Sequence, residues 1–266
     1  MLNLATKFRP EPAAFELAFR AGFRCAEFFL NRELLEDSQQ IAELASGYRM
    51  KYALHFPNKP NLEEQHLRHC VQLYRDVGAT AMVMHPPMHG RFAAALRKID
   101  PSLVLAVETM RVPREEIVAW VGQQQQVTLD VEHIWSFTLP GEPMSVFFEL
   151  LDRILNVHAD CVKHVHMPGY LPGQGEHRPM YTSREFCLGV FEILSRHRYD
   201  GLVVSEVDMQ FQNPFDLRMD VLLYEGWLAR QTGSASPTSQ AGSEQRPHAD
   251  VTSARIASAH VAKGNS

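Results

Sequence analysis

The sequence predicts a single (β/α)8 barrel, and three observations lead to this fold class. Short apolar runs alternate with amphipathic stretches eight times along residues 1–231, and polar side chains close most of the runs. Strict alternation of strand and helix implies parallel strands joined by right-handed crossovers, and eight such units match the usual barrel length of about 250 residues. A doubly wound open sheet is the alternative, but Thr6–Pro10 lacks the glycine-rich first turn of that fold.

Each predicted strand is a short apolar run, and each predicted helix is an amphipathic stretch that follows a strand. The predicted strands are Met1–Ala5, Cys25–Phe29, Tyr52–His55, Ala81–Met84, Leu103–Val107, Val127–Val131, Val162–His166 and Leu202–Val207. The predicted helices are Pro12–Ala21, Gln39–Ser46, Leu62–Val77, Arg91–Lys98, Pro113–Gln123, Pro143–Leu155, Ser183–Arg196 and Asn213–Arg230. Pro113, Pro143 and Pro214 suit the first turn of a helix, where a missing N–H costs little. Ser38 and Asn61 are the predicted N-caps of the second and third helices.

The composition is typical of a globular domain, with 45% apolar and 21% charged residues. No run approaches the roughly 18 apolar residues of a membrane helix, and no basic and apolar leader opens the sequence, so we expect a cytoplasmic location. The four cysteines form no C-x-x-C pair, which disfavours a disulfide frame or a zinc ribbon. A net charge of −5 provides no overall basic field and argues weakly against a nucleic-acid partner.

Residues 232–266 differ in composition from the rest of the chain. They are rich in Ser, Ala, Gln, Gly and Thr and nearly lack large apolar side chains. Such a segment cannot bury enough apolar surface to offset the entropy cost of ordering. We therefore predict a catalytic barrel domain over residues 1–231 and a disordered tail over residues 232–266, in which His248 and His260 have no specific role.

Four ionisable side chains stand where predicted strands end, namely Glu108, Asp130, His166 and Glu206. In a barrel of this class the active site lies at the carboxyl ends of the strands, so all four side chains are expected to meet there. Three carboxylates at one place repel one another unless a cation lies among them. The sequence therefore predicts a divalent metal ion held by these four residues, and hence an enzyme.

Further histidines occur at other strand ends. His55 and His85 close the third and fourth predicted strands, and His133 follows Asp130 by three residues. A lone histidine at a strand end is more often a core or rim residue than a ligand, and Glu27, inside its strand, suits a structural ion pair equally well. Carboxylates with one imidazole favour Mn²⁺, Mg²⁺ or Co²⁺, whereas use of the extra histidines favours zinc in a multinuclear site.

The sequence around these residues resembles the xylose isomerase-like TIM-barrel superfamily, which includes sugar isomerases and epimerases and the endonuclease IV class. The segments that carry the resemblance are Val107–Thr109, Leu129–His133, Val165–Met167 and Ser205–Val207. In the isomerase and epimerase branch, the resemblance implies one divalent metal on Glu108, Asp130, His166 and Glu206. It also implies that Glu108 and Glu206 form the acid–base pair and that His133 contacts a substrate oxygen.

In the endonuclease branch the resemblance is wider. It implies a further zinc ion at His55 and His85, and a third zinc ion that His133 and His177 help to bind. The chain departs from that branch where an Asp-x-His is expected, because it has Glu176 directly before His177. The four histidines alone do not decide between the branches.

We favour a metal-dependent isomerase or epimerase of a small sugar or related polyhydroxy carbonyl compound. The metal acidifies a C–H bond, one of Glu108 and Glu206 removes the proton, and the other returns one. The predicted substrate-binding residues are His133, His177, Arg178 and Trp135, although Trp135 suits rim packing equally well.

The alternative function is a multinuclear zinc phosphodiesterase of the endonuclease IV type, acting on abasic DNA or another phosphate ester. The extra histidines favour it, while the acidic net charge and the missing aspartate disfavour nucleic acid as the substrate. A barrel that has lost catalysis and only binds a ligand is a third hypothesis, which the complete metal set disfavours. Pairing into a homo-oligomer stays open.

Overall fold

A computed structural model describes residues 2–233 as a closed barrel of eight parallel strands. The strands are β1 Asn3–Phe8, β2 Cys25–Phe29, β3 Lys51–His55, β4 Met82–Met84, β5 Leu105–Glu108, β6 Val127–Asp130, β7 Val162–His166 and β8 Leu202–Ser205. They pair in chain order, and β8 closes the barrel against β1. The predicted (β/α)8 barrel is confirmed, and the predicted tail, from residue 234 onward, lies outside the described residues.

The helices surround the barrel and follow the strands in alternation. They are α1 Pro12–Ala21, α2 Arg32–Glu36, α3 Ser38–Ser46, α4 Glu64–Asp76, α5 Pro86–Ile99, α6 Ile117–Gln123, α7 Val131–His133, α8 Met144–His158, α9 Arg184–Arg196 and α10 Pro214–Gln231. A π-helical turn, Ile134–Thr138, follows α7 directly. Within residues 2–233, no helix combines the length and apolar character needed to cross a membrane.

Several strand boundaries differ from the prediction, and those of β1, β5 and β8 concern the site. Strand β8 ends at Ser205 instead of Val207, so Glu206 lies just beyond the strand. Strand β1 continues to Phe8 instead of ending at Ala5, so Lys7 belongs to the strand and not to the turn after it. Strand β5 begins two residues later than predicted and includes Glu108 as its last residue.

Most helix starts also differ from the prediction, by a single residue for α3, α8, α9 and α10 and by more for α4, α5 and α6. Helix α6 starts at Ile117, so Pro113 lies before its first turn. Helix α4 starts at Glu64, behind a capping box formed by Glu63 and His66, and not directly after Asn61. Helix α5 starts at Pro86, because a proline in the first turn needs no N–H partner, and this start leaves His85 as the N-cap residue.

The side chains inside the barrel differ in kind from those in the layers between the strands and the helices. Alternate residues of a strand point to opposite faces. The outward residues form two large apolar layers, one including Val127, Leu129 and Val165 and the other including Phe28 and Leu54. A small separate cluster contains Ala5, Cys25, Ala53, Leu202 and Val204.

The small separate cluster faces the interior of the barrel, and its position explains where the polar site lies. The residues found two positions further along these strands are Lys7, Glu27, His55, Val204 and Glu206. Because a strand repeats its facing every second residue, the polar members of this set share the inward face of the barrel. Small apolar side chains therefore fill one layer of the interior, and ionisable side chains fill the layer nearer the carboxyl ends of the strands.

Candidate metal centre

The strand ends bring the four predicted ligands together. Glu108, Asp130 and His166 end β5, β6 and β7, and Glu206 directly follows β8. The Nδ1 atom of His166 lies 2.8 Å from Oε2 of Glu206, 3.8 Å from Oε1 of Glu108 and 3.9 Å from Oδ2 of Asp130. The Glu206 side chain is 18% exposed, whereas the other three are almost fully buried. One imidazole nitrogen therefore faces three carboxylates.

A second group shares Glu108 with the first. The Nε2 atoms of His55 and His85 both lie 3.4 Å from Oε2 of Glu108. Its other oxygen, Oε1, faces His166 and lies 3.5 Å from Nδ1 of His133. Glu108 thus lies between two groups and directs one carboxylate oxygen to each. The groups are Glu108, Asp130 and His166 on one side and His55, His85 and Glu108 on the other.

The buried polar atoms of these groups fit a divalent metal ion. Five of these atoms have no hydrogen-bond partner among residues 2–233: Oε2 of Glu108, Oδ2 of Asp130, Nδ1 of His166, Oε2 of Glu206 and Nε2 of His55. The short contact between His166 and Glu206 lacks hydrogen-bond alignment. Buried unpaired polar atoms are costly. The contacts of His55 and His166 with Glu108, and of His166 with Asp130, are 3.4–3.9 Å, close to the separation of about 3.4 Å between ligands of a tetrahedral ion with bonds near 2.1 Å. The 2.8 Å contact between His166 and Glu206 is shorter than this separation.

The carboxylates of the site have divergent pKa values. Burial opposes charge on Glu108 and Glu206, but the His166 imidazolium and, for Glu206, the Lys7 ammonium hold both pKa values well below their usual range. Burial raises the pKa of Asp130 to about 6, with a further contribution from Glu108. Two of the three predicted ligand carboxylates are therefore readily ionised.

The pKa values of the His166 and His55 imidazoles are shifted in opposite directions. Burial works against the charged form of His166, but Glu27, Glu206 and Glu108 outweigh it and raise its pKa well above the usual value. Burial lowers the pKa of His55, and Lys7 adds to this effect. Without a metal ion, the proton on His166 thus offsets part of the negative charge of the carboxylates.

Lys7 is a site residue that the sequence reasoning missed. Its Nζ donates to Oε1 of Glu206 at 2.6 Å and lies 3.4 Å from Oε1 of Glu27. Burial disfavours the ammonium, but Glu206 and Glu27 raise the pKa of Lys7, so it remains charged. The missed signal was the continued alternation of Leu4, Thr6 and Phe8 with inward-facing residues, which extends β1 beyond Ala5.

The structure places the predicted substrate-binding residue His133 beside Glu108 and Asp130, with His177 next to it, whereas Arg178 has no contact with the centre among the described residues. The backbone N–H of His133 donates to Oδ1 of Asp130 at 2.8 Å. His177 has a left-handed backbone, with φ 52°, and its N–H donates to Oε2 of the buried Glu132 at 3.1 Å. The His133 and His177 rings are 6.3 Å apart, and the Arg178 guanidinium lies 5.8 Å from the centre of the Phe211 ring. Both histidines are therefore close enough to act on one substrate.

Trp135 lies in a different environment. Its side chain is buried, its indole N–H donates to the carbonyl of Glu142 at 2.9 Å, and its ring packs against Phe147 and Phe186. These contacts account for the aromatic ring by core packing. A substrate contact for Trp135 stays a prediction without support from its position.

A cleft of about 390 Å³ opens beside Glu206, and we call it the Glu206 cleft. Lys7 and Glu206 are its ionisable residues nearest the centre, Phe29 and Met209 contribute apolar walls, and His177 also lines it. The volume is within the range of small-molecule sites. The predicted acid–base residue Glu206 is thus accessible from a cleft of small-molecule size.

No protein-family model matches the chain, and no curated protein matches it. Solved structures match its fold. A D-tagatose 3-epimerase-like protein is 15% identical, with a TM-score of 0.58 over 88% of this chain and 100% of the other. Endonuclease IV from Thermus thermophilus is 17% identical, with a TM-score of 0.57 over 86% and 99% of the two chains. L-ribulose 3-epimerase is 15% identical, with a TM-score of 0.52 over 91% and 100%. The resemblance inferred from the sequence is thereby confirmed at the level of the fold.

Proposed function

We propose that the protein is a divalent-metal-dependent isomerase or epimerase of a small sugar or related polyhydroxy carbonyl compound. The observation that carries this proposal is the approach of two carboxylates, Glu108 and Glu206, to one imidazole, His166, beside the Glu206 cleft. Two carboxylates that address one small substrate are suited to moving a proton between neighbouring carbons or between faces of one carbon.

The proposed metal ligands are Glu108, Asp130, His166 and Glu206. When bound, a divalent ion polarises the carbonyl and hydroxyl oxygens of the substrate and so acidifies the adjacent C–H bond. Three carboxylates with one imidazole are a donor set suited to Mn²⁺, Mg²⁺ or Co²⁺.

Glu206 is the better candidate for the first proton transfer. It borders the Glu206 cleft, and its side chain is 18% exposed, whereas Glu108 is 2% exposed. Lys7 donates to Oε1 of Glu206 and keeps this carboxylate ionised, as a base must be. Glu206 accepts the proton from carbon. Glu108, on the inner side, is ionised in the free protein and first takes up a proton from a substrate hydroxyl or from water, which it then returns to carbon. His133, His177 and Arg178 are proposed to hold substrate oxygens.

The first experiment is elemental analysis of the purified protein, followed by a panel of aldoses, ketoses and their phosphates. The expected result is about one Mn, Mg or Co ion per chain, with metal-dependent interconversion of at least one sugar pair. A protein that contains no metal and takes up none on titration would contradict the proposal.

A second candidate function is a multinuclear zinc phosphodiesterase, and the His55–His85–Glu108 group is the observation that favours it. Clustered zinc ions generate a hydroxide and stabilise the leaving oxygen of a phosphate ester. Two or three zinc ions per chain, with cleavage of a phosphodiester and no activity on sugars, would place this function first. The net charge of −5 disfavours DNA as the substrate.

A further inference from the structure

We propose that Glu27, which is not among the proposed ligands, positions His166 for metal binding by holding the far nitrogen of its imidazole. This inference rests on the metal-dependent function proposed above. Glu27 lies in β2, across the barrel from β7, and it is fully buried. Its role is therefore to position a ligand, and it is not expected to touch the substrate.

The contacts of Glu27 are directed to two imidazoles. Its Oε2 atom lies 3.0 Å from Nε2 of His166 and 2.6 Å from Nε2 of His164. The two histidines are two residues apart in β7 and therefore point to the same side of the strand. One carboxylate oxygen thus contacts both rings, and on His166 it lies at the ring nitrogen that faces away from the proposed metal position.

The geometry of His166 determines which nitrogen can bind the metal. Its Nδ1 faces Glu108, Asp130 and Glu206, and its Nε2 faces Glu27. An imidazole nitrogen binds a metal only when it carries no proton, and the other nitrogen then carries the N–H. With Nε2–H donating to Glu27, the lone pair of Nδ1 points at the three carboxylates. A carboxylate behind a ligating histidine fixes both the tautomer and the orientation of the ring.

Lys7 keeps this arrangement together. Its Nζ lies 3.4 Å from Oε1 of Glu27 and 2.6 Å from Oε1 of Glu206. A single ammonium group therefore contacts both the carboxylate that orients His166 and a carboxylate that is itself a proposed ligand. Oε2 of Glu27 is hydrogen-bonded to two imidazoles, and Oε1 forms an ion pair with Lys7 without a hydrogen bond, so the carboxylate has little freedom to turn away from His166.

The set Glu27, His164 and His166 also has the residue types of a metal site. Their contacts of 2.6 and 3.0 Å have the geometry of hydrogen bonds, whereas the 2.8 Å contact between His166 and Glu206 does not. A hydrogen-bonded support for His166 therefore agrees better with these distances than a separate ion does.

The test is the Glu27→Gln variant of the full chain, titrated with Zn²⁺ and Co²⁺ in competition with a chromophoric chelator. We expect the affinity for Co²⁺, which suits the carboxylate-rich site of His166, to fall by about 10–100-fold, as is usual for loss of an outer-shell carboxylate, with the number of bound ions unchanged. Asp152→Asn is the matched control. It removes a carboxylate that lies 2.8 Å from Nε2 of His197 at the protein surface, and it should leave the affinity unchanged.

The outcomes separate this inference from the proposed function. Metal binding by the wild type with equal affinity in Glu27→Gln would overturn the positioning role alone. A wild type that binds no metal would overturn the metal-dependent function, and the role of Glu27 with it. The loss of one whole ion in Glu27→Gln would show Glu27 to be a ligand. If Glu27→Gln does not fold, Glu27→Asp carries the test, because it keeps the charge and withdraws the oxygen from His166; the same 10–100-fold loss is expected.

Discussion

The two sides of Glu108 present different chemistry to a metal ion. On the Oε1 side, His166 stands among carboxylates, with Asp130 and Glu206 close to its Nδ1. On the Oε2 side, the two nearest donors are the imidazoles of His55 and His85. Oxygen-rich donor sets suit Mn²⁺ and Mg²⁺, whereas imidazole-rich sets suit zinc. On the Oε1 side, a cation is needed to balance the negative charge of the carboxylates. On the Oε2 side, a cation would bind because imidazole is a suitable metal ligand.

The protonation of the imidazoles shows the same difference. The carboxylates around His166 raise its pKa well above the usual value despite its burial. Burial, with the nearby Lys7, lowers the pKa of His55. The Oε1 side therefore holds a proton in place of a metal, while His55 is neutral and ready to bind.

The largest effect is expected from Glu108→Gln, because Glu108 contributes an oxygen to both sides. The amide removes the shared charge, and we expect metal affinity on each side to fall by more than the roughly 100-fold that an outer-shell change can cost. Elemental analysis after dialysis should find little metal, and turnover should be lost. Full metal content in this variant would contradict the bridging position of Glu108.

Glu206→Gln tests the side that faces the cleft. We expect turnover to fall by about 10²–10⁴-fold, the usual contribution of a general acid or base, with only a small change in the thermal unfolding temperature. Steady-state kinetics on the substrate found in the sugar panel measures the effect, with Asp152→Asn as a control at a surface carboxylate. Retained activity would remove Glu206 from the mechanism.

His85→Asn tests the imidazole-rich side alone. Its side chain is 26% exposed, so the replacement should fold, and it removes one of the two imidazole donors on Oε2 of Glu108. If the protein is an isomerase with one metal, both metal content and turnover should be unchanged. A parallel loss of one zinc ion and of activity would instead favour the multinuclear phosphodiesterase.

The smallest effect is the release of protons on metal uptake. His166 holds a proton in the metal-free protein, and its Nδ1 must lose that proton to bind a metal. Affinity on this side should therefore rise by about tenfold per pH unit until the pH reaches the raised pKa of His166. At neutral pH, calorimetry in buffers of different ionisation enthalpy should detect about one proton released per ion on this side. Uptake without proton release would place the ion among the neutral imidazoles.

Much of the fold and of the site can be predicted from the sequence, because both depend on short-range patterns. The period of two in a strand places Glu108, Asp130 and His166 at strand ends, and the alternation of strand and helix predicts a parallel barrel. A closed barrel brings the carboxyl ends of its strands together at one face, independently of the conformation of the loops. The approach of Glu206 to His166 therefore followed from the prediction of eight strands.

The partners of the charged residues depend on the tertiary structure. Lys7 and Glu206 are 199 residues apart in the chain, and Glu27 and His166 are 139 apart, so no local pattern pairs them. Trp135 has the residue type of a substrate wall, but its contacts with Phe147 and Phe186 depend on how α8 and α9 pack. The amino-acid sequence is enough to say which residues line the inner face at the carboxyl ends of the strands, because strand period is local. The register between strands and the packing of the helices determine which of these residues touch, because contact depends on distance in space.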